Sequence, residues 1–178
     1  MRIVSKTDVG KVRRSNQDAY SAGELPGGVA WAVVCDGMGG ANGGNIASAT
    51  AVKVISERIS SGYREGMSSN SILAMLDTAI NAANISVYDM SQDDVALAGM
   101  GTTVVACVLV GGVAYIAHAG DSRAYRFNKD EVAQVTRDHS YVQRLLEEGT
   151  ITEEQAKNYP HKNVILNYQF FRGALCKN

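Results

Sequence analysis

Two glycines, Gly111-Gly112, separate two strand-length apolar runs, Thr102–Val110 and Val113–Ala119. A two-residue connection of this kind closes a β-hairpin, because a type I′ turn needs positive φ at both central positions and glycine adopts it without steric cost. The chain is thereby committed to antiparallel pairing. Val29–Cys35 is a third continuous apolar run, entered through the turn Leu25-Pro26-Gly27-Gly28, and reads as a buried central strand. Met1–Asp8 alternates like a further strand. Arg123–Phe127 and Glu131–Val135 form a second hairpin across Asn128-Lys129-Asp130. Between the strands, Ala47, Ala51, Val54, Ile55 and Ile59 recur at helical spacing. Ile72, Leu76, Ile80, Ala83 and Val87 do the same on a longer helix. Two short helices follow the second hairpin. Thr152 and Gln155 have capping-box spacing at the start of the last, and Pro160 lies past its end. The Gly-rich run Gly37–Gly44 and the polar patch Arg64–Asn70 read as loops. Hairpins with a consecutive helix pair predict an α+β fold with helices packed on sheets, not a doubly wound one.

Composition narrows the class further. At 178 residues the chain suits one domain, and 46% hydrophobic against 20% charged residues excludes a disordered chain. Seventeen basic and eighteen acidic residues leave a net charge of -1. No overall basic field exists to gather nucleic acid or anionic lipid, so any anion site must be local. No uncharged apolar run reaches the ~18 residues of a membrane span. Cys35, Cys107 and Cys176 are far apart and form no Cys-x-x-Cys pair, which disfavours both a disulfide framework and a zinc ribbon. Cys35 and Cys107 read as buried free thiols. The first residues lack the apolar core of a signal peptide. The expectation is a cytoplasmic monomer with no nucleic-acid and no membrane partner.

The Gly-rich run invites a phosphate-loop reading, which fails at the residues that matter. A dinucleotide fingerprint from Gly37 needs glycine where Asn42 stands, and a P-loop from Gly39 needs lysine where Asn45 stands. The carboxylates are more informative. Asp36 ends the apolar strand, and Gly37 after it lets a backbone carbonyl approach a ligand. That is a hard-oxygen set suited to Mg²⁺ or Mn²⁺, although Asp-Gly is also a common turn dipeptide. Asp121 stands in a similar setting, in His118-Ala119-Gly120-Asp121-Ser122-Arg123, and is equally a turn candidate. Asp18, after Asn16-Gln17, reads as a further cation ligand, a cap, or an ion-pair partner of Arg13 or Arg14. Either arginine could present a planar fork to a phosphate. His118, His139 and His161 are scattered, with no zinc spacing; His139 suits capping or packing at a helix start. No Gly-x-Ser-x-Gly elbow occurs.

Taken in order, Arg13-x-x-Asn16-Gln17-Asp18, Val34-Cys35-Asp36-Gly37-Met38-Gly39-Gly40, Gly101-Thr102-Thr103, Gly120-Asp121-Ser122-Arg123 and Thr136-Arg137-Asp138-His139-Ser140 closely resemble the metal-dependent serine/threonine protein phosphatases of type 2C, in their bacterial form. The resemblance implies an α-β-β-α sandwich with a dinuclear Mn²⁺ or Mg²⁺ centre at one end. Asp36 would bridge the two metals as a catalytic group, with the Gly37 carbonyl on the second metal and Asp18 near it through water. Arg13 would bind the substrate phosphate, and Asp121 would hold a third, weaker metal. A water shared by two cations has a lowered pKa and can attack phosphorus in line. Substrates would be phosphorylated proteins made by a serine/threonine kinase. Met38 is common in bacterial members, whereas Ala41 replaces a histidine common there.

The resemblance covers residues 1–165, the phosphatase-like domain, and stops in the tail 166–178. The family continues for roughly another third of its length, with two further aspartates that hold the first metal. A truncated or out-of-frame end would explain the tail; a divergent edge strand is the alternative, because Tyr168, Phe170 and Phe171 favour strands. On the first reading the sandwich is incomplete and catalysis by this chain weak or lost. A non-catalytic phosphoprotein-binding module or a non-functional fragment are the competing functions.

Overall fold

In a computed structural model of the chain, the apolar runs assemble into one antiparallel sheet with a helix pair on one face. The structure describes residues 1–160, 164–165 and 171–175, with 40–42 and 171–175 described by backbone alone. In chain order the elements are β1 (Asp18–Leu25), β2 (Val29–Met38), α1 (Gly40–Gly62), α2 (Ser69–Asp93), a 3-10 turn (Val95–Leu97), β3 (Gly101–Thr102), β4 (Val104–Val110), β5 (Val113–Ala119), β6 (Tyr125–Phe127), β7 (Val132–Gln134), α3 (Tyr141–Glu147), α4 (Glu153–Lys157) and β8 (Phe171–Leu175). The main sheet runs β1-β2-β4-β5-β8, with β3 beside β2, while β6 and β7 pair with each other. Gly111 and Gly112 have φ of 58° and 84°, the left-handed pair that the tight turn demands. From that turn β4 and β5 keep one register, Val110 opposite Val113 through to Val104 opposite Ala119.

Strand alternation then assigns the faces. Val33, Ala106 and Ala117 are cross-strand neighbours. All three are fully buried, in one cluster with Ile55 and Ile59 of α1 and Leu76 of α2. Ala47, Ala51, Ala79 and Ala83 belong to the same cluster and let the helices lie close. Ser68 caps α2 by accepting from the Ser71 N–H at 3.2 Å, and Thr152 with Gln155 forms the capping box read from the sequence. The opposite face carries Tyr20, Val34, Val105 and His118 in register. The β6–β7 hairpin borders that face, sharing with Cys107, Leu109, Ala114 and Ile116 the lining of an apolar hollow.

Several expectations need correction. Met1–Asp8 is not a strand: it is exposed and pairs with none of the described residues. Alternation makes a strand only where a neighbour takes up its backbone donors and acceptors. Asp18–Leu25, which has no β-branched residue, is a strand because the Leu25–Val29 turn folds it back onto β2. The Gly-rich run is not a loop; it is the end of β2 and the first turn of α1. Of the two roles read for His139, packing is the one observed: it stacks on His118, while Ser140 caps α3, accepting from the Gln143 N–H at 3.2 Å. In the tail, 171–175 adopt the strand alternative and pair with β5. Tyr168, Phe170, Cys176 and His161 lie outside the described residues.

Candidate functional site

The register brings the first two carboxylates together. Asp18 and Asp36 are direct partners across β1 and β2. On the other side of β2, the pairs Val34–Val105 and Gly37–Thr102 bracket one position, which places Thr103 opposite Asp36. Asp36 therefore sits between Asp18 and Thr103, and its parity with Val34 puts it on the face away from the helices. The Thr103 N–H donates to the Asp36 carbonyl at 2.9 Å, and the Asp36 N–H donates to Thr103 Oγ1 at 3.0 Å.

Glycine explains why the strand tip can be held so firmly. A Cβ at Gly37 would lie 2.0 Å from the Gly44 carbonyl oxygen, and one at Gly44 would lie 2.5 Å from Gln17 Oε1. The tip of β2 thus abuts the first turn of α1 with no room for a side chain. The Gln17 carbonyl accepts from the Gly37 N–H at 3.1 Å and from Ser48 Oγ at 2.7 Å. Asn16 Oδ1 accepts the Asp18 N–H at 3.0 Å.

Around this tip opens a cleft of about 580 Å³ whose lining includes Arg13, Arg14, Gln17, Asp36, Gly37 and Asp121. Burial raises the Asp36 pKa above the ordinary carboxylate value; the facing Asp18 raises it further, Arg13 opposes, and Asp121 adds to the rise. Asp36 is thus a carboxylate whose negative charge is poorly tolerated unless a cation joins it. Among the described residues that line the cleft the donors are carboxylates and a backbone carbonyl rather than thiol or imidazole, a chemistry that suits a hard divalent cation such as Mn²⁺ or Mg²⁺. Among the described residues no three His, Cys, Asp or Glu side chains cluster tightly enough to form a metal cage. The donor set fits a cation held by few protein ligands and open to water.

Behind the cleft, His118 is fully buried and stacks on His139, with ring centroids 4.4 Å apart. Burial, with His139 adding to it and Asp138 opposing, lowers the His118 pKa to about 4. Arg123 donates to both Asp138 carboxylate oxygens, at 2.8 and 2.6 Å. The His139 N–H donates to the Gly120 carbonyl at 2.9 Å. These contacts tie the Gly120–Arg123 loop, which carries Asp121, to the segment entering α3. Thr103, Ser122 and Gln17 had no site role in the sequence reading. The only signal for Thr103 was its place in Gly101-Thr102-Thr103.

The model of the protein phosphatase 2C family matches residues 11–162. The chain belongs to that family. It is 35% identical over 164 residues to the serine/threonine phosphatase stp of Listeria innocua, covering 90% of this chain and 64% of that protein. Across the matched curated relatives from Listeria the chain spans about 64% of their length. The serine/threonine protein phosphatase PstP of Mycobacterium tuberculosis is 32% identical over 166 residues, 93% of this chain and 30% of PstP. Among solved structures, the Streptococcus agalactiae serine/threonine phosphatase superposes with a TM-score of 0.89 at 32% identity, covering 97% of this chain and 73% of that one. The PstP catalytic domain in complex with two manganese ions superposes with a TM-score of 0.78 at 30% identity, covering 96% and 70%. The α+β fold is accordingly that of the type 2C phosphatases. No helix among the described residues is long and apolar enough to cross a membrane.

Proposed function

We propose that the chain carries the phosphate- and metal-binding cleft of a serine/threonine phosphoprotein phosphatase. The observation that supports this most is the pairing of Asp18 with Asp36 across β1 and β2, beside a cleft that Arg13 and Asp121 also line. Asp36 would bridge two Mn²⁺ or Mg²⁺ ions, the Gly37 carbonyl would ligate the second, and Asp18 would support it through water. Asp121 would hold a further, weaker cation. Such ions, when bound, polarise phosphoryl oxygens and make a water nucleophilic near neutral pH. Arg13 offers a planar fork that grips and orients the phosphate. Asp36, whose charge Arg13 only partly offsets, would be relieved by a bound cation. With few carboxylate ligands per ion, Asp36, Asp18 and Asp121 would hold metal loosely, and turnover would climb with added Mn²⁺ over a wide concentration range.

The substrates in this reading are phosphorylated proteins produced by a serine/threonine kinase, met in the cytoplasm by a monomeric enzyme. Residues 1–165 form its phosphatase-like unit and 166–178 a non-matching tail, of which 171–175 pair with β5. Hydrolysis of p-nitrophenyl phosphate and of a phosphothreonine peptide, with and without Mn²⁺, tests the proposal. Wild type is expected to turn over only with Mn²⁺, and Asp36→Asn to lose about 10³-fold or more. Turnover that ignores both Mn²⁺ and the substitution sinks the reading. Phosphopeptide binding without turnover would indicate a binding module instead.

A further inference from the structure

In a regular antiparallel pair, directly opposed residues of the hydrogen-bonded kind exchange two backbone bonds, each N–H donating to the partner's carbonyl. Asp36 and Thr103 make only one of these. The Thr103 N–H donates to the Asp36 carbonyl at 2.9 Å, but the Asp36 N–H donates to the Thr103 hydroxyl, at 3.0 Å. The Thr103 carbonyl, released from the ladder, shares the Thr102 hydroxyl with the Asp36 carbonyl, each 3.0 Å from Thr102 Oγ1. A side chain has replaced a main-chain acceptor at the residue that faces Asp18.

The same hydroxyl reaches a second segment. Thr103 Oγ1 lies 2.6 Å from Ser122 Oγ, and Ser122 follows Asp121. The Thr103 methyl group also touches this loop. A Cβ at Gly120, whose φ is +101°, would stand 2.7 Å from Thr103 Cγ2. Thr103 is only 2% exposed, so its rotamer is fixed by packing and both of its branches are in use. One oxygen atom therefore joins the backbone of Asp36 to the loop of Asp121, across sequence separations of 67 and 19 residues.

We infer that Thr103 is a positioning residue: its hydroxyl sets the spacing between the Asp36 strand tip and the Asp121 loop, and thereby the affinity of the cleft for divalent cations. This rests on the phosphatase reading above and extends it to Thr103, a nearly buried residue in the wall of the same cleft. Removing the hydroxyl leaves two outcomes for the Asp36 N–H. It stays unpaired, or the ladder closes onto the Thr103 carbonyl; either shifts Asp36 and frees Ser122 from its tie. Partners one step behind metal ligands typically change metal affinity by about 10–100-fold when lost.

The experiment is direct titration of the full chain with Mn²⁺, following the free-ion signal by electron paramagnetic resonance, with p-nitrophenyl phosphate hydrolysis in parallel. Thr103→Val keeps the shape and loses the hydroxyl; Thr103→Ser keeps the hydroxyl. Thr103→Val is expected to weaken Mn²⁺ binding about tenfold or more and Thr103→Ser to stay within about twofold of wild type. Ser122→Ala cuts one arm alone and is expected to weaken binding about threefold, and the double substitution Thr103→Val/Ser122→Ala should cost less than the product of the two. Ser122→Ala also decides the matter if Thr103→Val does not fold, because Ser122 lies outside the core: binding equal to wild type overturns the link. Thr103→Val that folds and binds Mn²⁺ like wild type overturns the inference while leaving the phosphatase reading intact. A wild-type chain that neither binds Mn²⁺ nor hydrolyses the ester overturns both.

Discussion

The two faces of the main sheet are built on different rules although the same strands make them. On the helix side, Val33, Ala106, Ala117, Ile55 and Leu76 form a dry apolar layer in which each side chain is fully buried. On the other side, one residue along, stand Asp36, Val34, Thr103 and His118. There burial is uneven: Val34 is 48% exposed, whereas His118 is inaccessible. The helix side holds the molecule together through apolar area, and the other side holds charged and polar groups at chosen places. The lesson is that a continuous apolar run such as Val29–Cys35 does not report which of its faces is dry.

The largest expected effect that would break this contrast concerns His118. Its pKa is lowered to about 4 in the fold, against the ordinary 6.5, so between those values the unfolded chain binds the proton and the fold does not. Stability is then fully present above about pH 6.5 and is lost as pH falls toward about 4, by up to about 3 kcal/mol. Urea melts of wild type and His118→Gln across that range should show a steeper loss in wild type, with a residual slope in the variant from His139, whose pKa burial also lowers. A shared slope would place the acid sensitivity elsewhere. Next comes the neighbouring pair on β2. Val33→Ala should cost about 2 kcal/mol, whereas Val34→Ala should stay within about 0.5 kcal/mol. Equal costs would mean that the second face is as tightly packed as the first. The smallest shift is expected at Asp36. Because its pKa is raised in the fold, by burial and by Asp18, the folded state binds more protons and ionised Asp36 opposes folding as pH rises through that window. Asp36→Asn should therefore raise the metal-free melting temperature at neutral pH, with the gain fading in acid. A lower melting temperature would show that the carboxylate has stabilising contacts beyond those described.

Much of the helix side was legible in the sequence, because Gly111-Gly112, the apolar runs and the spacing of Ile55, Ile59, Ile72 and Leu76 act locally. β1 was not legible. Its eight residues, DAYSAGEL, include no β-branched side chain and depend on the following turn. Met1–Asp8 shows the converse, a pattern with no described partner to realise it. In the site, the acids at strand ends could be picked out one by one, yet no local signal pairs Asp18 with Asp36, since that follows from register. Thr103 was hidden for the same reason: its contacts with Asp36 and Ser122 exist only once three strands have closed.

The contact between Gly37 and Gly44 has a consequence for anyone who would move this chemistry elsewhere. Where a strand end rests directly on a helix, the orientation of Asp36 is inherited from the whole of α1. A transplant of the three aspartates into a foreign scaffold would fail unless that helix travelled with them.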